Sequence, residues 1–460
     1  MAVTRGPVGA DPPIDYAKGM LQREMPWSDP LDVFEAVAED PFAVLLHGDA
    51  HRGWSFIGAA PAQIIRAAAG QGDPFGEIAK IAKARRSSQR PSCGAPFAGG
   101  IAGFAGYEAL RWREPSVGSP ASPYGAPDFQ FGVFDAVAAF DRVSRRAYIL
   151  SRNRHAEDGL IDALSFRRGE RRHDAEVRIL PPDRDHYVRQ VRETKARIAA
   201  GDLFQANLAH TIMAEIAGVT SAYGFFRRGV VAMRPQHGAY IRSGDTEILS
   251  FSPERFFRVD DKGRLVAEPV KGTRPRGHDD ASDHALLQAL LADEKDRAEN
   301  IMIADLTRND VAQICADHSI REDAICEPLV TSSVHHLVSR ISGALRENCD
   351  ATDALFAMFP CGSITGAPKV EAMRLIAELE QVGRGPYCGA IGFVDDSGVA
   401  DFSVAIRTAV AEPADGGLRL SYGVGAGITL QSNADAEFQE TIDKARVFFD
   451  LLGLGSPSSA

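Results

Sequence analysis

At Gly201 the chain changes its repeat. Ahead of it, Asp185 to Ala200 sets Tyr187, Val191 and Ile198 on one stripe of a 3.6-residue period, and the glycine stands where such a helix would stop. Beyond it, Phe204, Ala206, Leu208 and Ile212 alternate with Gln205, Asn207, Ala209 and Thr211, the two-residue period of a strand. A strand flanked by amphipathic helices recurs later in the chain, so the fold is expected to mix α and β.

The 460 residues, 45% hydrophobic and 25% charged, suffice for one large composite domain or two smaller ones. Short apolar runs at Phe42 to Leu46, Phe97 to Phe104 and Phe129 to Phe140, broken by Gly and Pro, predict strands in the N-terminal third. Ser151 to Arg178, with Arg167-Arg168-Gly169-Glu170-Arg171-Arg172, reads as an exposed linker between residues 1–165 and 180–455. A net charge of −11 argues against a nucleic-acid partner, and an anionic ligand must then be held by local cations or a metal. The six cysteines show no C-x-x-C spacing, as expected of reduced thiols. Met1 to Pro13 lacks the pattern of a secretory signal, and the Gly- and Ala-rich run from Gly94 to Gly106 is too short to span a bilayer. A soluble, cytoplasmic protein with no membrane partner is expected.

Chemistry concentrates in the second half. Lys271 precedes a Gly272-Thr273 turn at the end of the extended run Arg264 to Val270, with Arg274 and Arg276 close behind. Neighbouring cations lower a lysine's pKa and free its amine to attack, although a solvated basic turn would look the same. Asp283 to Leu291 and Glu294 to Thr307 read as consecutive helices, with Glu299 among Ile301, Ile303 and Leu306. Glu437, Glu440 and Lys444 share one helix face, while Phe438, Ile442, Ala445 and Phe449 form its buried stripe. Carboxylates from two helices suit Mg2+; a solvated face with a Glu440–Lys444 pair worth ~0.3 kcal/mol suits the same residues. Gly362 to Gly366 leads into a helix from Ala367 to Glu380, a start fitted to a carboxylate, although a plain loop-to-helix entry would look the same. Arg407 lies in the alternating run Phe402 to Val410, where an inward-facing arginine would require an anion, although simple surface exposure accounts for most arginines.

These segments follow one another in a set order: Ser252-Pro253-Glu254, the Lys271 turn, Asp296 to Leu306, His335 to Ser339, Phe359 to Lys369, Gly385 to Gly392, Ile406-Arg407-Thr408, Gly425 to Ile428 and Ala436 to Ala445. The ordered set resembles the chorismate-utilising enzymes, which include anthranilate synthase component I, aminodeoxychorismate synthase component I and the isochorismate synthases. The resemblance is strong over residues 180–450 and weaker over the first 150. It implies an α/β (α+β) fold, a four-layer α/β/β/α sandwich with large antiparallel sheets. In that fold residues 1–165 interleave with a chorismate-binding catalytic part, 180–455. It further implies Mg2+ on Glu299 and Glu440, with Glu437 as a ligand or the holder of a bound water. Ser363 and Thr365 would lie beside chorismate, and Arg407, Tyr387, Gly425 and Gly427 at its enolpyruvyl carboxylate. Thr273, Lys444 and Gln205 complete the substrate-binding set. His336 would sit near the ring hydroxyl that is lost, and Glu254 would protonate it, which needs a pKa raised by burial. Asn300 stands where the family often has histidine.

Within the family the residue matching Lys271 is usually alanine in anthranilate and isochorismate synthases and lysine in aminodeoxychorismate synthases. The resemblance therefore implies a covalent lysine intermediate and conversion of chorismate and ammonia to 4-amino-4-deoxychorismate, upstream of 4-aminobenzoate and folate. Gln205 matches the water-activating lysine of isochorismate synthases, and a neutral amide cannot act as that base. The sequence offers no amidotransferase cysteine and histidine arrangement, so ammonia is expected from a separate glutaminase subunit. Arg52 to Phe56 and Arg234 to Tyr240 match the tryptophan-binding segments of relatives, but His237 and Gly238 depart from the pattern and argue against tryptophan. Anthranilate synthase component I is the nearest alternative. From another class, the glycine turns at Gly362 and Gly423 could mark a nucleotide-binding protein, although neither follows the full phosphate-loop pattern.

Overall fold

Two antiparallel sheets lie face to face in the computed structural model, which describes residues 20–48, 53–68, 70–165, 176–330 and 334–453. The first runs in the spatial order Leu21–Met25, Arg146–Ser151, Ala136–Asp141, Trp54–Ala59, Phe42–Gly48, His237–Ser243, Thr246–Ser252, Thr408–Ala414, Gly417–Ile428, Gln205–Ala217 and Gly366–Ala367, with Val177–Leu180 also on Gln205–Ala217. The second runs Val270–Pro275, Val334–Ala344, Arg264–Ala267, Arg255–Val259, Ala400–Val404, Ala390–Asp395, Gly100–Ala105, Phe129–Phe134 and Gln63–Ala67, with Arg321–Val330 also on Val334–Ala344. Strands from residues 1–165 thus form one end of each sheet and join the later strands edge to edge, through Phe42–Gly48 on His237–Ser243 in the first and Gly100–Ala105 on Ala390–Asp395 in the second.

Apolar side chains explain the layering. Phe42, Val44, Phe56, Ile241 and Ile248 of the first sheet pack on Phe104, Phe134, Ile391 and Phe393 of the second, closing the gap between them. The outer face of the first sheet is covered through Phe34, Leu160, Phe226 and Phe448, and that of the second through Phe75, Val311 and Leu355. The result is a four-layer α/β/β/α sandwich.

The change of period at Gly201 is present: Arg184–Ala200 is a helix capped by the Asp183 side chain and ended by Gly201 at φ +90°. The following strand differs from a half-buried one. Residues 205–209 are buried on both faces, because the strand lies inside the sheet with helices against it, whereas Phe204, expected on the apolar face, precedes the strand and is 72% exposed. The charged stretch after Ser151 is not simply a linker: Arg154–Ser165 is a helix whose Leu160 is buried and whose Glu157 pairs with Arg23 at 2.7 Å. Its Arg167 to Arg172 portion, Met1 to Pro13 and Arg52 lie outside the described residues. The helix expected from Ala367 begins at Lys369, since Gly366 and Ala367 pair with Ala206 and Gln205 instead.

The alternating run Phe402 to Val410 is broken for a reason that shapes the molecule. Thr246–Ser252 and Thr408–Ala414 pair in the first sheet, while Arg255–Val259 and Ala400–Val404 pair in the second. Both chains therefore cross from one sheet to the other side by side, through Pro253-Glu254 and through Ala405-Ile406-Arg407. Three bonds hold this seam: Ser252 Oγ donates to the Val404 carbonyl at 2.6 Å, Val404 N–H to the Glu254 carbonyl at 3.1 Å, and Phe251 N–H to the Arg407 carbonyl at 3.1 Å. Arg407 adopts φ +50° at the crossing.

Candidate active site

A cavity of about 440 Å³ opens beside the seam, and Glu254 and Arg407 both line it. Lys271 and Thr273 enter from Val270–Pro275, His336 from the strand opposite, Ser363 from the turn before the Lys369–Glu380 helix, and Glu299, Glu437, Glu440 and Lys444 from two helices.

Glu254 is 4% exposed, and its Oε1 has no hydrogen-bond partner among the described residues. Burial pushes its carboxyl up to about 7, against the pull of the Ser363 hydroxyl and the Lys271 ammonium. His336 is held near neutral form: burial first, then the Arg407 charge, lowers it to about 4. Its Nδ1 lies 2.9 Å from the Thr273 hydroxyl.

Lys271 faces Glu254, Glu299 and Glu440 electrostatically but forms no ion pair among the described residues, since Glu299 lies 3.9 Å from Lys295 and Glu440 lies 2.8 Å from Lys444. The two arginines expected to raise the potential around it are each matched by carboxylates: Arg274 by Asp293 and Asp296 at 2.8 and 2.9 Å, Arg276 by Asp283 at 2.7 Å. Arg407 is half-buried and makes no ion pair among the described residues, which leaves its guanidinium for an incoming anion.

Glycines let the backbone approach. A Cβ on Gly423 would meet the Tyr387 ring at 2.3 Å, and one on Gly427 would meet Nε2 of Gln205 at 2.4 Å and Nζ of Lys271 at 3.7 Å. Gln205 itself is 1% exposed, and both its amide atoms lack hydrogen-bond partners among the described residues. Thr365 does not line the cavity: fully buried, it donates its hydroxyl to the Cys361 and Gly362 carbonyls at 3.1 Å and closes its own turn.

The acidic helices fit a cation in part. Oε1 of Glu299 is buried without a hydrogen bond among the described residues. Burial raises its carboxyl above the usual range, with Asp296 and Glu437 pushing the same way and Lys271 and Lys295 opposing. Glu437 is buried, but Glu440 is engaged by Lys444, which also donates to the Gly425 carbonyl at 2.9 Å. Among the described residues no three His, Cys, Asp or Glu side chains already converge as a metal cluster. A cation would relieve the Glu299–Glu437 repulsion, and Glu440 could join after exchanging Lys444.

Sequence reasoning missed Asn207, Lys295, Asp296 and Tyr422, which also line the cavity. Signals existed for three of them: Asn207 lies two strand positions from Gln205, and Lys295 and Asp296 lie one helical turn before Glu299. The two segments considered for tryptophan meet at a second cavity of about 190 Å³, where Gly53, Trp54 and Phe56 face Gln236, His237 and Gly238. Among the described residues no helix is long and apolar enough to cross a membrane.

The two-sheet sandwich carries a cavity lined by both cationic and acidic side chains, and over residues 41–450 the sequence matches the chorismate binding enzymes. The chain belongs to that family. It is 36% identical over 377 residues to aminodeoxychorismate synthase component 1 of Salmonella typhimurium, covering 81% of each chain. It is also 36% identical over 378 residues to anthranilate synthase component 1 of Streptomyces coelicolor, covering 76% of this chain and 72% of that one. The crystal structure of anthranilate synthase component I from Streptococcus pneumoniae superimposes with a TM-score of 0.75 at 30% identity, over 86% of this chain and 92% of that one. The isochorismate synthase MenF of Escherichia coli shares the fold, with a TM-score of 0.72 at 18% identity over 96% and 95% of the two chains. The protein is thus a chorismate-utilising enzyme of the anthranilate synthase component I and aminodeoxychorismate synthase group, as the ordered motifs implied, and not a nucleotide-binding protein of another class.

Proposed function

We propose that this enzyme is an aminodeoxychorismate synthase component, converting chorismate and ammonia to 4-amino-4-deoxychorismate and water through a covalent bond to Lys271. The observation that carries this reading is the Lys271 amine, placed in the cavity without an ion pair among the described residues and opposite the buried acid Glu254.

Deprotonated Lys271 forms a bond to ring carbon C2 while the two ring double bonds shift and the C4–O bond breaks. The departing hydroxyl takes the Glu254 proton and leaves as water. Neutral His336, held by Thr273, stands by the same hydroxyl as a hydrogen-bonding partner. Ammonia then bonds to C4, the double bonds shift back, and the lysine leaves from C2. Gln205 supports the choice of nucleophile, because an amide cannot deprotonate water whereas free ammonia needs no base. Arg407 and the N–H groups near Gly425 would hold the enolpyruvyl carboxylate. Mg2+, held by Glu299, Glu437 and Glu440, would supply a positive charge for the ring carboxylate. Relatives named as component 1 support a separate subunit as the ammonia source for this chain, with ammonium as a substitute in vitro.

Equal identity to an anthranilate synthase component 1 makes anthranilate the competing product. The test is to incubate the purified protein with chorismate, Mg2+ and ammonium and identify the product by chromatography and NMR. 4-Amino-4-deoxychorismate, lost in Lys271→Ala, is expected. Fluorescent anthranilate from the unaltered protein, or an unchanged rate and product in Lys271→Ala, would overturn the proposal.

A further inference from the structure

Asn300 follows Glu299 on the Glu294–Ala312 helix but points the other way, into the second sheet, where it is 1% exposed. Its Nδ2 donates to the Leu337 carbonyl at 3.0 Å and to the Lys271 carbonyl at 3.4 Å. Its Oδ1 accepts from the Ser339 hydroxyl at 2.5 Å and from the Cys326 thiol at 3.6 Å. The partners fix the orientation of the amide, since two carbonyls can only accept and the Ser339 hydroxyl donates, while the Cys326 thiol shares its one proton between Asn300 and the Arg297 carbonyl at 3.7 Å.

The location is a defect in the sheet. Val270 pairs with Val338 and Thr273 with His336, so Lys271 and Gly272 together face the single residue Leu337. Such a bulge takes backbone groups out of the ladder, and here Gly272 adopts the left-handed conformation at φ +85°. On its other side Leu337 pairs with Pro328, which has no N–H to offer. Asn300 thus bridges the two carbonyls facing one another across the bulge, while Ser339, which also accepts from Cys326 N–H at 3.1 Å, anchors its oxygen. Gly272 packs tightly on the same helix: a Cβ there would meet Asp296 at 3.1 Å.

We propose that Asn300 is a positioning residue that fixes the Lys271 backbone against the Glu299 helix, so that the amine and the carboxylate keep their spacing across the cavity. This rests on the reading of Lys271 as the nucleophile. A histidine cannot replace Asn300, because a neutral imidazole has one donor and one acceptor and satisfies at most two of the four contacts.

The test compares Asn300→Ala, Asn300→His and Ser339→Ala in the full-length protein. For both Asn300 variants kcat is expected to fall by about tenfold or more with KM for chorismate nearly unchanged, the signature of a misplaced reacting group. Ser339→Ala, which frees the far end of the amide, should move kcat in the same direction and keeps the proposal testable if the Asn300 variants do not fold. A second readout is independent of turnover: the rate of reductive methylation at Lys271, followed by peptide mass spectrometry, should change while that of Lys295 does not. Unchanged kcat and unchanged Lys271 labelling in folded variants would overturn the proposal, as would a lowered unfolding midpoint with no change in labelling. If Lys271→Ala keeps its rate and product, the nucleophile reading fails by itself, whereas the labelling comparison still decides whether Asn300 places that side chain.

Discussion

The ring of Tyr387 packs directly onto the backbone of Gly423, with three ring atoms within 2.7 Å of where a Cβ would stand. Tyr387 is buried and cannot swing away, so the pair sets the depth of the cavity at the Arg407 end. Gly423→Ala should cost about 1–3 kcal/mol of stability through overpacking. KM for chorismate should rise more than kcat falls, which steady-state kinetics and urea unfolding would separate. An unaltered KM would show that the ring is not part of the binding surface.

Glu254 gives a pH dependence with a defined sign. Its folded pKa of about 7 lies above the ordinary 4.5, so the protonated form favours the fold, and stability from this group is lost as pH rises through 7. Up to about 3 kcal/mol is at stake well above that pH. On the proposed mechanism Glu254 acts as the acid and loses that role over the same range, so kcat should fall on the alkaline side. Glu254→Gln should abolish that limb, lower kcat at every pH and raise stability at pH 8 to 9. Unfolding curves of both proteins across pH 5 to 9 would check it.

Chelation should silence the enzyme, and the three acids should differ. Glu299→Gln and Glu437→Gln are expected to raise the Mg2+ concentration for half-maximal rate by about tenfold or more. Glu440→Gln should also release Lys444 from its 2.8 Å pair, so its KM for chorismate changes as well. Equal Mg2+ dependence in all three variants and the unaltered protein would remove the metal assignment.

Arg384 is predicted to matter for stability although it does not line the cavity. Buried and paired with Glu380 at 2.6 Å, it donates to the Ile364 and Asn207 carbonyls at 3.0 and 2.6 Å and stacks over Tyr107. Arg384→Ala leaves Glu380 unpaired and should cost about 3–5 kcal/mol in chemical denaturation. Lysine should not rescue it, because the planar fork serves several acceptors at once.

Local signals made part of this legible in advance. The helix before Gly201, the paired helices around Asp293 and the acidic face at Glu437 follow from periodicity, and the order of the motifs carried the family. Periodicity failed where both faces of an element are covered, as at Gln205 to Ala209, and where charge hid a stripe, as in Arg154–Ser165. It could not show that Arg407 turns between sheets, because a non-glycine residue at positive φ has no marker in the sequence. Nor could it show that Arg274 and Arg276 are answered by aspartates from neighbouring helices, or that Thr365 turns inward.

The seam at Pro253-Glu254 and Ala405 to Arg407 is fixed by backbone bonds between two crossing chains, while Lys271 rides on a separate strand joined to its neighbour through a bulge. Two jobs are thereby uncoupled. On the proposed mechanism, the proton donor and the anion anchor belong to the paired crossing chains, and the nucleophile to a separate strand. If Lys271 is the nucleophile, a single substitution there should alter the bond-making step while the ligand keeps its grip, so a lineage built on this frame could change its product without first rebuilding its binding site.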